Sequence, residues 1–352
     1  MAKPSVYFTK QITPEKMIEL FKVLGRELPG AVAVKLHSGE VGNQNFIRPE
    51  FLKPIIDHVS GTVVECNTAY EGQRNTTEKH WATMEQHGWT GVCKVDIMDE
   101  AGEMALPIPN GKRIQVNYVG ANLANYDSLL VLSHFKGHPM GGYGGALKNI
   151  SIGIASSHGK AYIHGAGDPE KIWTADHDSF LESMADAAKS IVDHFDGHIA
   201  FLNVMCNLSV DCDCCAVAAD PEMADIGILA SLDPVALDQA CLDLVYASDD
   251  PGKESLIERI TSRNGVHTIE AAADLGIGSR EYTLVSLDQQ PLRNRKKAFQ
   301  RKAFCVLMES PRDPSFSRAQ SKTDSSSRLM ISPVSASISK SYSRSWWMIF
   351  PS

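Results

Sequence analysis

No apolar run in this sequence approaches the roughly 20 residues that a bilayer-spanning helix needs, which argues against a membrane partner. The first residues, MAKPSVYFTK, lack the apolar core of a secretory leader. The expected location is therefore the cytoplasm, where thiols stay reduced. Positive charge is missing from most of the chain. Residues 289–352 hold 12 Lys/Arg against 3 Asp/Glu, about +9, which leaves residues 1–288 with 22 against 39, about −17. So acidic a body repels phosphate backbones, which argues against nucleic acid as a partner. A disulfide framework is missing too, because eight cysteines are few for 352 residues and half of them crowd into one short segment.

What is present is an ordinary globular composition, 43% hydrophobic and 22% charged. Apolar runs alternate with helical periodicity. Strands are expected at 5–9, 31–37, 62–67, 92–97, 128–132, 199–205, 226–230 and 282–287. Helices are expected at 14–28, 49–59, 76–87, 177–195, 234–246 and 268–275. A hairpin at 103–119 turns at Asn110-Gly111. Strands separated by helices of this length predict an α/β fold with a mixed, largely parallel sheet flanked by helices, in one domain over 1–288 or in two lobes. From Gln289 the chain becomes basic and Ser-rich, which reads as a disordered tail, or as a segment added by a frameshift.

Chemistry concentrates in two places. The segment from His134 to Asn149 carries His134, Lys136, His138, Gly141, Gly142, Gly144, Gly145 and Lys148 directly after a buried strand. Open α/β sheets place ligands at that strand end. The glycines would bring backbone N–H groups close to a ligand, and the lysines would supply positive charge to a small anion. The alternative is a tight turn entering a helix. His158 and His164 follow shortly after. The second place is Cys206–Cys215, with Cys212, Cys214 and Cys215 nearly contiguous. Its spacing is neither a ferredoxin repeat nor a zinc ribbon, yet thiolates this close suit a soft metal. The neighbouring Asp211 and Asp213 are expected to oppose thiolate formation unless a metal is bound. Buried structural thiols are the alternative there, and Cys66, Cys93 and Cys241 read as core. Arg74, after the third strand, could clamp a carboxylate or phosphate, or merely precede a helix capped by Asn75 or Thr76. Asp233-Pro234 reads as a helix cap.

Residues 5–288 resemble the domain-of-unknown-function 362 family. The shared segments are KLHSGEVGN (35–43), CNTAYEGQR (66–74), FKGHPMGGYGGALKN (135–149), DCDC (211–214) and DIGILASLDPVALD (225–238). That resemblance implies an iron–sulfur centre, of the 4Fe-4S type, and a redox partner. The fused ferredoxin module found in some members has no counterpart here, so a cluster would use the Cys206–Cys215 region. The stretch His138–Lys148 is also similar to the H-x-x-A-G-[FY]-S-G-G-x-K motif of the nickel-dependent lactate racemase family, with Gly144 in place of Ser. By that resemblance His138 is an acid/base catalyst, Lys148 anchors a nickel-pincer nucleotide, and His164 ligates nickel. The metal candidates are thus His134, His164, Cys206, Cys212 and Cys214. The catalytic candidates are His138 and Lys148. Cofactor contacts would come from Lys136, Gly141, Gly142, Gly144, Gly145, Lys148 and Arg74. The readings left open are an iron–sulfur or transition-metal (Fe, Ni or Zn) protein, a racemase-like enzyme acting on a small hydroxy acid, and a metal-free anion-binding module. Substrate, oligomeric state and turnover itself are not legible.

Overall fold

A computed structural model of the chain describes residues 3–288; the basic tail, with Cys305, lies outside the described residues. The strands are β1 (Ser5–Thr9), β2 (Val32–Lys35), β3 (Thr62–Glu65), β4 (Val95–Ile97), β5 (Glu103–Pro107), β6 (Val116–Gly120), β7 (Ser128–His134), β8 (Lys136–His138), β9 (Gly142–Gly144), β10 (Ile199–Met205), β11 (Gly227–Ser231) and β12 (Thr283–Ser286). Eight of them form one sheet in the order β12-β1-β11-β10-β7-β2-β3-β4. All run in one direction except β11, which is antiparallel to both β10 and β1. The fold is thus mixed α/β with a largely parallel sheet, as the alternation of elements predicts.

The helices are α1 (Pro14–Val23), α2 (Pro49–His58), α3 (Thr77–Gln86), α4 (Trp89–Val92), α5 (Ala146–Ser151), α6 (Ser157–His164), α7 (His177–Phe195), α8 (Pro234–Ala247), α9 (Lys253–Ser262) and α10 (Val266–Asp274). The starts of three long ones follow from local chemistry. Thr13, Asp176 and Asp233 each accept a hydrogen bond from an N–H of the first turn, and Pro14 and Pro234 occupy positions where a missing N–H costs nothing. Alternate residues of the central strands face opposite layers. Val34, Val63, Leu130 and Leu202 pack with Leu20 of α1 and Ile55 of α2. Ala33, Val64, Val131 and Phe201 pack with Leu147 of α5, Ala188 of α7 and Leu237 of α8. Burying each such Leu, Val or Phe contributes about 1.5–3 kcal/mol. The β5–β6 ribbon is pinned separately. Glu182 of α7 receives Lys112, Arg113 and His267, and Asp186 accepts the backbone N–H groups of Lys112, Arg113 and Ile114.

Three helices, α4, α6 and α9, escape the sequence reading, and α5 enters it only as the helix after a tight turn. Helix α9 buries only Leu256 and Ile260, too sparse a stripe to show as a period. Helices α4 and α5 are one or two turns long, and α6 carries Gly159 inside. Helix α1 also stops early, because Gly25 follows in the left-handed region at φ +62°.

The topology places the site. From β2 the chain proceeds outward to β3 and β4, whereas from β7 it proceeds the other way to β10. The crevice between β2 and β7 is therefore the topological switch point, and its carboxyl end is where ligands enter such sheets. The chain leaves β2, β3, β7 and β10 at that end through residues 36–45, 66–74, 135–145 and 206–219. Beneath it, Lys35 at the tip of β2 pairs with Glu65 at the tip of β3 at 2.7 Å, both buried. Burial alone would raise the Glu65 carboxyl, but Lys35 together with His37, Arg74 and His80 outweighs it and holds the group well below its ordinary range.

Glu182 offers a clean test of this framework. Burial would raise its carboxyl, yet the hydrogen bonds from Lys112, Arg113 and His267 prevail and hold it down at about 2. A depressed carboxyl stabilises the fold above its unfolded range and loses that contribution as pH falls toward the folded value. Glu182→Gln is expected to cost about 2 kcal/mol at neutral pH. In denaturant titrations across pH, that difference should shrink steadily between about pH 4.5 and pH 2. A difference that stays constant over the same range would contradict the assignment.

Candidate metal site at the carboxyl end of the sheet

The cysteine loop is held against the histidine loop by one buried carboxylate. Asp213 lies between Cys212 and Cys214 and is almost wholly enclosed, at 1% exposure. Its oxygens meet His134 Nδ1 at 2.9 Å and Lys136 Nζ at 2.8 Å. Burial pushes the Asp213 carboxyl up, but the His134 and Lys136 charges dominate and keep it well below the carboxylate range. Lys136 answers in kind: burial would lower its ammonium, and Asp213 raises it. The acid next to the cysteines, expected from sequence to repel thiolates, is thus neutralised by two partners of its own. His134 Nε2 in turn donates to the Cys206 carbonyl at 2.6 Å. Both His134 nitrogens are therefore spent inside the protein, leaving neither lone pair for a metal.

Further stitches come from the loop after β2, which the sequence reading passed over as site material. Asn43 Nδ2 donates to the Cys215 carbonyl at 2.8 Å, Gln44 Nε2 to that of Ala218 at 2.7 Å, and Asn45 Nδ2 to that of Ala219 at 2.9 Å. The available signal was Asn43-Gln44-Asn45 itself, three amides in a row after a strand end, opposite a segment whose carbonyls have no ladder to join. Arg74 is turned inward. Its Nε donates to Glu40 at 3.1 Å, and its Nη2 is buried with no partner. On this geometry its Nε holds the loop of Glu40. Thr76 caps α3, one of the two caps proposed there, and Asp233 caps α8.

The glycine-rich loop folds back as a small hairpin, with Lys136 opposite Gly144 and His138 opposite Gly142. Gly137 lies so close to the Val210 carbonyl that any Cβ would overlap it, which is what lets β8 reach the cysteine loop. Gly145 likewise abuts the Asp238 carboxylate, which accepts the N–H groups of Ala146 and Leu147 at 2.8 and 3.0 Å and caps α5 from a distant helix. Packing therefore accounts for these two glycines without a ligand. Gly141 instead serves His138: its N–H, with that of Met140, donates to His138 Nδ1 at 2.8 and 3.1 Å.

That last contact fixes the His138 tautomer. A neutral imidazole has one N–H, so an Nδ1 that accepts two hydrogen bonds leaves the proton on Nε2. Nε2 faces Cys214 Sγ at 3.9 Å. His164 is fixed the opposite way. Its Nδ1 donates to the Lys160 carbonyl at 2.7 Å, its ring stacks on Phe180, and its Nε2 keeps a lone pair. Burial pushes both rings down to about 4, with the Lys148 ammonium adding to the shift, so both are neutral at pH 7. His37, also pushed down to about 4 chiefly by burial, packs against Cys212, and its Nδ1 accepts the Gly39 N–H at 3.0 Å.

Among the described residues, His138, Cys212 and Cys214 form a group with ligand atoms all within 4.8 Å, buried or nearly so, that could hold a metal ion. His134, His164 and Cys206 lie outside that group. The Cys206 side chain packs with the opposite apolar layer, and burial pushes its thiol up to about 12. Cys66 and Cys241 are core, as expected, while Cys93 is only partly buried. His158 is exposed and pairs with Glu103 at 3.0 Å. No helix of the described residues is long and apolar enough to cross a membrane.

Comparison with known proteins adds the following. Among solved structures, the lactate racemase apoprotein from Thermoanaerobacterium thermosaccharolyticum is similar at 15% identity and a TM-score of 0.43, over 68% of this chain and 56% of that one. A protein from Thermotoga maritima is similar at 14% identity and a TM-score of 0.38, over 76% of this chain and 60% of that one. The chain thus spans less than two thirds of the length of either structure. No curated protein matches it. Residues 32–243, more than half of the chain, match the family described as Domain of unknown function (DUF362), and the chain belongs to that family.

Proposed function

We propose that this protein binds one soft divalent transition-metal ion at Cys212 and Cys214 and uses it in metal-assisted proton chemistry on a small anionic molecule. The observation that carries this reading is the convergence of His138, Cys212 and Cys214 within 4.8 Å at the switch point of the sheet. Two closely spaced thiols suit nickel, zinc or ferrous iron by their softness. His138 supplies a ligand nitrogen only if its proton relocates to Nδ1, at the cost of the Met140 and Gly141 hydrogen bonds. With those bonds intact it is an N–H donor beside the sulfurs. A four-iron cluster fits less well, because it takes four thiolates and this group supplies two. The ion, when bound, would polarise an oxygen of the anionic molecule.

The protein's own groups support the proton chemistry. His138 presents an N–H and His164 a bare lone pair, both neutral at pH 7, so the His164 ring can take a proton while the His138 ring donates a hydrogen bond to the negative charge that develops. Lys148 carries its charge close to His138, Cys214 and His164, where it would favour a carboxylate. This pairing of opposite tautomers also favours a second reading within the same site, a racemase- or epimerase-like reaction on a small hydroxy acid, with Lys148 as an anchor.

Protein purified without oxygen and titrated with zinc or nickel is expected to take up about one ion. Replacing Cys212 and Cys214 by Ser together should weaken binding on the order of 100-fold or more. His138→Gln should leave most of the affinity in place. Equal metal binding by the double Ser variant would sink the metal reading. Screening hydroxy acids for loss of optical rotation or exchange of the α-hydrogen addresses the second reading. His138→Gln and His164→Gln should each slow such a reaction on the order of 100-fold. Unchanged rates in both would exclude them as hydrogen-bond donor and base.

A further inference from the structure

The first turn of α5 hangs on one buried carboxylate from another helix. Asp238 of α8 is 0% exposed, and four donors converge on it. Its Oδ1 accepts the Ala146 N–H at 2.8 Å and Asn203 Nδ2 at 2.7 Å. Its Oδ2 accepts the Leu147 N–H at 3.0 Å and the Tyr143 hydroxyl at 3.2 Å. No Lys, Arg or His pairs with it among the described residues. Around it, α5 and β10 offer backbone N–H groups and Asn203, β9 offers Tyr143, and α8 itself offers Cys241. Burial keeps both Tyr143 and Cys241 protonated. Asp243, further along α8, is exposed and bonded to Gln239 and Tyr282. The other elements packed on α8, namely β1, β11, α9 and α10, bring Asp238 no charged partner among the described residues. A buried carboxylate without a counter-charge holds its proton to higher pH, and here burial outweighs the four donors and pushes the group up to about 6.

A protonated Asp238 needs an acceptor for its own O–H, and Asn203 holds one in reserve. Asn203 Nδ2 is spent on Asp238 and on Cys241 Sγ at 3.4 Å, whereas its Oδ1 is buried with no partner. Half a turn of that amide puts Oδ1 where Nδ2 stands, against Asp238 Oδ1. We propose that Asp238 and Asn203 form a proton-operated latch on the first turn of α5, which fixes Lys148 at the crevice while Asp238 is ionised and eases its hold when Asp238 is protonated. The proton enters on Asp238 Oδ1 and points at the turned Asn203 Oδ1. Ala146, whose N–H shared that oxygen, loses its acceptor. Leu147 keeps a neutral oxygen in place of a charged one, which is a weaker bond. Lys148 is the third residue of α5, so its ammonium, which acts on His138, Cys214 and His164, moves with that turn. The latch holds above about pH 6 and eases below it.

The test follows the full chain, stripped of metal with chelator, by NMR across pH with labelled aspartate, alanine, asparagine and lysine. The Asp238 Cγ signal is identified by its loss in Asp238→Asn. The expected result is one shared step, with its midpoint at about pH 6, in Asp238 Cγ, the Asn203 side-chain amide, the Ala146 N–H and Lys148 Cε. His138 and His164 titrate lower, at about 4, so their steps stay separate. Protection of the Ala146 N–H against hydrogen exchange, corrected for the intrinsic rate, should fall on the order of tenfold between about pH 7 and about pH 5. In Asp238→Asn the step should vanish from Ala146 and Lys148, and the Ala146 protection should be low at every pH. If that variant does not fold, the titration of the native chain decides alone. An Asp238 Cγ signal that stays flat over this range would overturn the proposal. So would a titrating Asp238 that leaves Ala146 or Lys148 unmoved. Every readout is taken without metal, so either outcome is independent of the metal reading.

Discussion

The site depends on the charge of Asp213. A carboxylate buried to this degree is unfavourable unless its charge is matched, and here two strand-end residues match it, His134 at the tip of β7 and Lys136 at the start of β8. That arrangement fixes the backbone of the cysteine loop to the sheet and sets the two flanking cysteines beside His138. It also fixes polarity: the buried charge of Lys136 is consumed by Asp213, which leaves Lys148 to act on the crevice. Removing Asp213 would leave the buried Lys136 ammonium without its counter-charge, so the pairing specifies one position for the loop as well as stabilising it.

A second tier of constraints is made of backbone rather than charge. Close approach at Gly137 lets the β8–β9 hairpin meet the cysteine loop, and the Asp238 carboxylate caps α5 from across the core. The N–H groups of Met140 and Gly141 then decide which nitrogen of His138 carries a proton. Three of the loop's conspicuous glycines thus act on protein groups, two by close packing and one by its N–H. This is more specific than a general cradle for a ligand, and it shows how a loop can look ligand-binding while being occupied with its own geometry.

Much of this was legible beforehand. Strand and helix alternation predicted the parallel sheet, and Asn110-Gly111 predicted the hairpin of β5 and β6. The clustering of Cys212 and Cys214 and the residue His138 were visible as chemistry-bearing features. What could not be read was set by distant parts of the chain. The antiparallel insertion of β11 arises from register with β1 and β10, which no local pattern encodes. The pairing of Arg74 with Glu40 could not be read because Glu40 lies in another loop. Asp213 looked like a source of repulsion because sequence does not reveal that His134 and Lys136 meet it. His37 was hidden by the weakness of a lone histidine as a signal, although its place just after β2 pointed to the same end of the sheet.

The central claim is that the cysteine and histidine loops make one site. Anomalous diffraction from crystals of the anaerobic protein soaked in zinc tests it most directly. The account predicts a peak bonded to both Cys212 Sγ and Cys214 Sγ, at about 2.3 Å from each, with His138 alongside. A peak on other residues, or a cysteine loop standing away from His138 in the metal-loaded crystal, would contradict it.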